Sequence, residues 1–142
     1  MAFDTFVLAA VRRELEEKIL GARIIKIHQP DRHTVVFKYH QHGDNGRLLL
    51  CANPRRAAVY LSEVKQDNPS QAPLFCMVLR KYLEGAKITA ISQIPLERIL
   101  QISFSYRNDL GDITTCNLFV EIMGKHSNII LINQDNQINF SY

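Results

Sequence analysis

The chain has 142 residues, 46% apolar and 22% charged, which fits one globular domain with enough core to fold without a metal or disulfide. Its formal net charge of +3 is too small to mark a nucleic-acid binder, so any electrostatic footprint must come from placement. Three widely spaced cysteines, Cys51, Cys76 and Cys116, sit among apolar neighbours, which argues against a disulfide framework and for buried thiols in a reducing compartment.

Met1-Ala2-Phe3-Asp4 lacks a basic leader, and no stretch approaches the roughly 20 apolar residues of a membrane span, so a soluble, cytoplasmic protein without a membrane partner is expected. Val7, Val11, Leu15 and Ile19 recur every four positions and predict a helix over 5 to 20, with Asp4 as N-cap and Gly21 as the stop. Residues 24 to 27, rich in β-branched side chains, then predict a strand ended by Gln29-Pro30-Asp31. A second strand over 34 to 39, a turn at Gly43-Asp44-Asn45-Gly46 and a third strand from Arg47 make an antiparallel meander. A shorter strand over 57 to 61 precedes a polar loop from Glu63 to Gln71. Pro73 suits the first turn of a second helix, whose apolar stripe is Phe75, Val78, Leu79, Tyr82 and Leu83, with Arg80, Lys81 and Glu84 on its other side and Gly85 as its end. Strands follow over 86 to 94, 98 to 106, 116 to 122, 127 to 132 and 137 to 140.

Helix, strands, helix, strands, without βα alternation, predicts an α+β fold, an antiparallel β-sandwich of two sheet layers with two flanking helices. The last strand runs to Tyr142, so the chain reads as the first domain, residues 1 to 142, of something longer.

Catalytic and cofactor motifs are weak. Gly124-Lys125-His126-Ser127 lacks the preceding glycine of a phosphate loop, since Phe119 stands there, and a strand rather than a helix follows. His40 and His42 share a strand face but have no third metal ligand in view. There is no Gly-x-Ser-x-Gly and no activated cysteine context, so a binding role without cofactor, metal or catalytic residue is expected. Arg55-Arg56, Arg80-Lys81, Arg98 and Arg107 fall at element edges, either as one basic face or as scattered solubilising charge.

Four stretches, in order across nearly the whole chain, resemble the N-terminal domain of the NFACT family, which includes RqcH, NEMF and proteins labelled fibronectin-binding protein A. They are Met1-Ala2-Phe3-Asp4 with its helix, Leu49-Leu50-Cys51-Ala52-Asn53-Pro54, residues 75 to 85, and residues 121 to 131. The resemblance implies a ribosome quality control factor that binds the large ribosomal subunit carrying peptidyl-tRNA. It also implies recruitment of tRNA, alanyl-tRNA in RqcH-like proteins, for C-terminal tailing of stalled chains. The family's Asp-Arg pair implicated in tRNA contact aligns with Glu97-Arg98, and its early Asp with Asp4. Glu97 departs from the family by one methylene, which changes the reach of the carboxylate. Arg55, Arg56, Lys125 and His126 are further candidate RNA contacts.

The family fold in turn resembles the N-terminal β-sandwich of formamidopyrimidine-DNA glycosylases, whose nucleophile is an N-terminal proline; Ala2 stands in its place here. The competing readings are therefore a fibronectin-binding surface adhesin, and a glycosylase-like domain lacking its catalytic amine.

Overall fold

This computed structural model describes residues 4–65, 67–123, 127–133 and 138–141. Helix α1 (Thr5–Ile19) starts at Asp4, whose carboxylate Oδ1 accepts from the Val7 amide at 2.8 Å. It buries Leu8, Leu15 and Ile19, and the chain leaves it through Gly21 at φ +89°, a left-handed conformation that glycine adopts at little cost. Strands β1 (Arg23–Asp31), β2 (Thr34–Gln41), β3 (Asp44–Cys51) and β4 (Ala58–Ser62) form the first meander. Helix α2 (Leu74–Leu83) follows, then β5 (Lys87–Gln93), β6 (Ile99–Arg107), β7 (Ile113–Glu121), β8 (Asn128–Asn133) and β9 (Ile138–Ser141) form the second.

The α+β, antiparallel expectation with two helices holds. The two layers, however, are halves of one sheet in the order β4-β3-β2-β1-β5-β6-β7-β8-β9. Its halves join at β1 and β5, where the ladder is a single registered pair, Arg23 with Lys87. The backbone exchanges Ile24 N–H to Ala86 O at 2.8 Å and Ile88 N–H to Ala22 O at 2.9 Å around that point. So short a joint lets the sheet turn on itself. Phe37 of β2 and Phe104 of β6 then stack across the interior at 6.2 Å between ring centres. Both belong to one continuous core that also takes in Leu8 and Leu15 of α1 and Leu79 and Leu83 of α2. Each helix packs on strands of both halves, α1 on β4 and β5, and α2 on β1, β6 and β9.

Two local expectations are corrected. The β2–β3 turn is His42-Gly43, with φ +52° and +83°, the pair of left-handed residues that matches the twist of a two-residue hairpin. Asp44, Asn45 and Gly46 are instead strand residues, because Asn45 pairs with His40 and Gly46 with Tyr39. A Cβ at Gly46 would meet the Tyr39 hydroxyl oxygen at 2.3 Å, so glycine is there to admit the ring rather than to turn the chain. β1 also runs through Pro30 to Asp31, with the ladder irregular between His28 and Asp31, where a missing amide is tolerated.

All three cysteines are free and buried. Burial pushes the Cys116 thiol up to about 12 and also raises that of Cys76, so neither is an activated nucleophile. No helix among the described residues is long and apolar enough to cross a membrane.

Candidate nucleic-acid interface

Beyond Gln93 the chain reverses over residues 94–98. Pro95 and Leu96 occupy the turn's centre, and the Glu97 amide donates back to Ile94 O at 3.1 Å. Proline pre-sets the first central position, while the second requires a left-handed backbone, normally glycine's. Here it is Leu96, at φ +64° and 95% exposed. A branched apolar side chain held in that conformation and pushed into solvent gives the fold nothing.

The turn is tied to the start of α1 by Gln93, whose Nε2 donates to Glu97 O at 3.0 Å and to Thr5 O at 3.4 Å. Asp4, Glu97 and Arg98 are thereby gathered at one end of the molecule. Gln93 carries no sequence signal for this role, because both acceptors are backbone carbonyls, one of them 88 positions away.

Asp4 is the helix cap, with its carbonyl also accepting from Leu8 N–H at 2.9 Å, and its carboxylate is exposed. Glu97 is exposed and Arg98 half-buried. The carbonyl of Arg98 accepts from Ile122 N–H at 2.8 Å, which anchors the turn to the residue just after β7 while leaving the guanidinium out of that bond. Glu97 does not pair with it: the ion pairs among the described residues are Arg12 with Glu16 and Lys18 with Glu14. The neighbouring acid therefore does not hold the Arg98 guanidinium by an ion pair. In this turn the two side chains share a backbone corner and not a salt bridge.

Beside the turn runs an open groove of about 740 Å3 between α1 and β5, lined by Phe6, Ala9, Arg12, Ile91 and Leu96 among others. Phe6 is 84% exposed, so the groove carries two protruding apolar side chains, Phe6 and Leu96; its own arginine, Arg12, pairs with Glu16, while Arg98, two positions beyond Leu96, has no side-chain partner among the described residues. A flat ring and a planar guanidinium are the groups on which unpaired bases stack.

The other candidates separate from this site. Arg55 and Arg56 are exposed on the turn between β3 and β4, shaped by Asn53, whose Oδ1 accepts from Arg55 N–H at 2.9 Å. Lys125 and His126 lie outside the described residues; on either side of them, Met123 N–H donates to Ser127 Oγ at 3.0 Å. Arg80, expected on the outer side of α2, turns inward, and its Nε donates to Ile27 O at 2.8 Å. Arg107 donates to Gly111 O at 2.6 Å and closes the β6–β7 turn. His40 bonds to Asn45 at 2.7 Å, and no group of three His, Cys, Asp or Glu able to hold a metal occurs among the described residues.

The family described as NFACT N-terminal and middle domains matches residues 4–141. The chain belongs to that family. The Rqc2 homolog RqcH of Bacillus subtilis is 47% identical over 131 residues, 92% of this chain and 23% of the relative. Human ribosome quality control complex subunit NEMF is 25% identical over 129 residues, 91% of this chain and 11% of that protein. The N-terminal domain of fibronectin-binding protein PavA from Streptococcus pneumoniae superposes with a TM-score of 0.95 at 39% identity, covering 99% of this chain and 53% of that one. This NFACT chain thus spans about a quarter or less of the curated relatives it matches.

Proposed function

We propose that this NFACT domain is a non-catalytic, cytoplasmic RNA-binding module that contacts tRNA through the turn carrying Glu97 and Arg98. In this reading it serves a quality control factor on large ribosomal subunits that hold peptidyl-tRNA, and supports alanine tailing from alanyl-tRNA. The observation that carries the reading is the half-buried Arg98, without a side-chain partner among the described residues, two positions from the protruding Leu96 in a turn that Gln93 ties to the start of α1, in a chain 47% identical to an RqcH over 92% of its length. Arginine can fork onto a base edge or phosphate, and Phe6 offers a stacking face. Asp4 acts mainly by capping α1, which holds the Thr5 carbonyl where Gln93 reaches it. Likeness to formamidopyrimidine-DNA glycosylases belongs to the same proposal: a nucleic-acid-facing surface without base excision, since Ala2 replaces the proline amine.

The test is tRNA binding by fluorescence anisotropy. Arg98→Ala is expected to weaken binding by about 1–3 kcal/mol, roughly 5- to 150-fold, with the melting temperature unchanged. Glu97→Asp, which restores the family residue, is expected to keep or improve it. Unchanged affinity in Arg98→Ala removes the assignment.

A second reading, fibronectin binding, is favoured by the name of the PavA domain, which shares this fold at a TM-score of 0.95. Surface plasmon resonance against immobilised fibronectin decides it, since a saturable signal insensitive to Arg98→Ala would place that activity elsewhere on the surface.

A further inference from the structure

A second charged feature lies on the outward face of the first meander, away from the residues at 94–98. In register across three neighbouring strands stand Lys26 of β1, Lys38 of β2 and Arg47 of β3, each directly opposite the next. Strands lie about 4.8 Å apart, so three cations share a line roughly 10 Å long. Like charges placed directly opposite destabilise a sheet unless something compensates them. Among the described residues no carboxylate does so, since none of the three is in an ion pair. Lys65 and Asn68, from the segment after β4, complete the rim of a cavity of about 260 Å3 over this row, with His28 at its edge. Its floor is Val36, only 3% exposed although it sits on the outward face, and Lys38 and Arg47 are half-buried. Glu63 of the same segment turns its carbonyl toward Arg47 Nη1, at 3.4 Å, rather than its carboxylate. The lining thus offers four cations, one side-chain amide and an apolar floor, without an acid.

We infer that this cavity is an anion site that seats a phosphate group, with Lys26, Lys38, Lys65 and Arg47 as its ligands. Arg47 supplies the planar fork suited to two phosphate oxygens, the lysines supply charge, and the Val36 floor raises the strength of both by limiting water. Assigning that phosphate to the backbone of an RNA strand rests on the nucleic-acid reading above; the site itself does not. It would add a sequence-independent grip to the Arg98 turn, because backbone phosphates position a strand without reading it.

The probes are inorganic pyrophosphate, followed by thermal unfolding, and a labelled oligouridylate, followed by anisotropy against salt. Lys38→Gln and Arg47→Gln are compared with Lys18→Gln, which removes equal charge from the exposed face of α1. Because they relieve repulsion, the two cavity variants should fold at least as well as the parent without anion, so lost binding is not lost structure. Pyrophosphate is expected to raise the melting temperature of the parent and of Lys18→Gln alike, and to do so far less in the cavity variants. Oligouridylate affinity is expected to fall about tenfold in the cavity variants, and the slope of log affinity against log salt by about one. Loss of the pyrophosphate response alone identifies a free phosphate compound as ligand and supports the site; loss of both identifies an RNA backbone. Cavity variants that match Lys18→Gln with both probes overturn the proposal. A silent Arg98→Ala beside responsive cavity variants rejects only the tRNA contact at residues 97 and 98.

Discussion

The seam between α2 and β1 and the turn at 94–98 each present an arginine, and the comparison shows what makes such a residue available. Arg80 is taken up by the fold. Its Nε satisfies the Ile27 carbonyl, which also accepts from Cys76 Sγ at 3.5 Å, and its Nη2 lies 3.5 Å from His28 Nδ1. At Arg98 only the backbone is taken up, through the bond from Ile122, and the half-buried side chain has no partner among the described residues. A charge with internal acceptors is architecture, and one held by its main chain alone is free to meet a partner.

The largest effect that sharpens this contrast is at Arg80. Arg80→Ala leaves the Ile27 carbonyl with one weak sulfur donor and should cost about 1–3 kcal/mol in denaturant unfolding, with RNA affinity unchanged. Arg98→Ala should show the reverse pattern. Next comes Asp4: Asp4→Ala should cost about 1 kcal/mol by uncapping α1, whereas Asp4→Ser keeps a cap and should restore stability. If Asp4→Ser restores stability but not tRNA affinity, the carboxylate touches RNA and the contrast extends to a third residue. Leu96→Asn is expected to leave stability unchanged or raise it by up to about 1 kcal/mol, since asparagine tolerates the left-handed backbone better. It should nonetheless weaken RNA binding; equal affinity would show that Leu96 is a turn residue and no more.

The smallest effect is with pH. Burial, then the Arg80 and Lys26 charges, pulls the His28 ring below its ordinary range, against a lesser pull from Glu84. The unfolded chain therefore binds this proton more readily than the folded one. Stability present above about pH 6.5 is lost as the pH falls through the lowered value, and His28→Gln should flatten that decline in thermal melts.

Much of the architecture was legible because it is local. The four-residue spacing of Val7, Val11, Leu15 and Ile19 places a helix that the structure ends at Ile19, and Gly21 and Gly85 stand at positive φ where periodicity stops. The hairpin turn was misplaced because Asp44-Asn45-Gly46 has turn chemistry, and only the Tyr39 ring across the ladder makes that glycine a strand residue. The site was half legible. Family resemblance points to residues 97 and 98, but neither the absent salt bridge nor the Gln93 tie can be read from spacing.

Composition, periodicity and turn residues alone determined the α+β class, two helices with the Asp4 cap of the first, the antiparallel meanders and the burial of three thiols, because each depends on groups a few positions apart. Tertiary structure decided which cations are spent inside and which are free. It set Arg80 on a carbonyl 53 residues away, left Arg98 open, and brought Lys26, Lys38 and Arg47 into one row. Charge is a property of the residue, whereas its neutralisation depends on what the folded chain brings within reach, and that is settled only when the sheet closes.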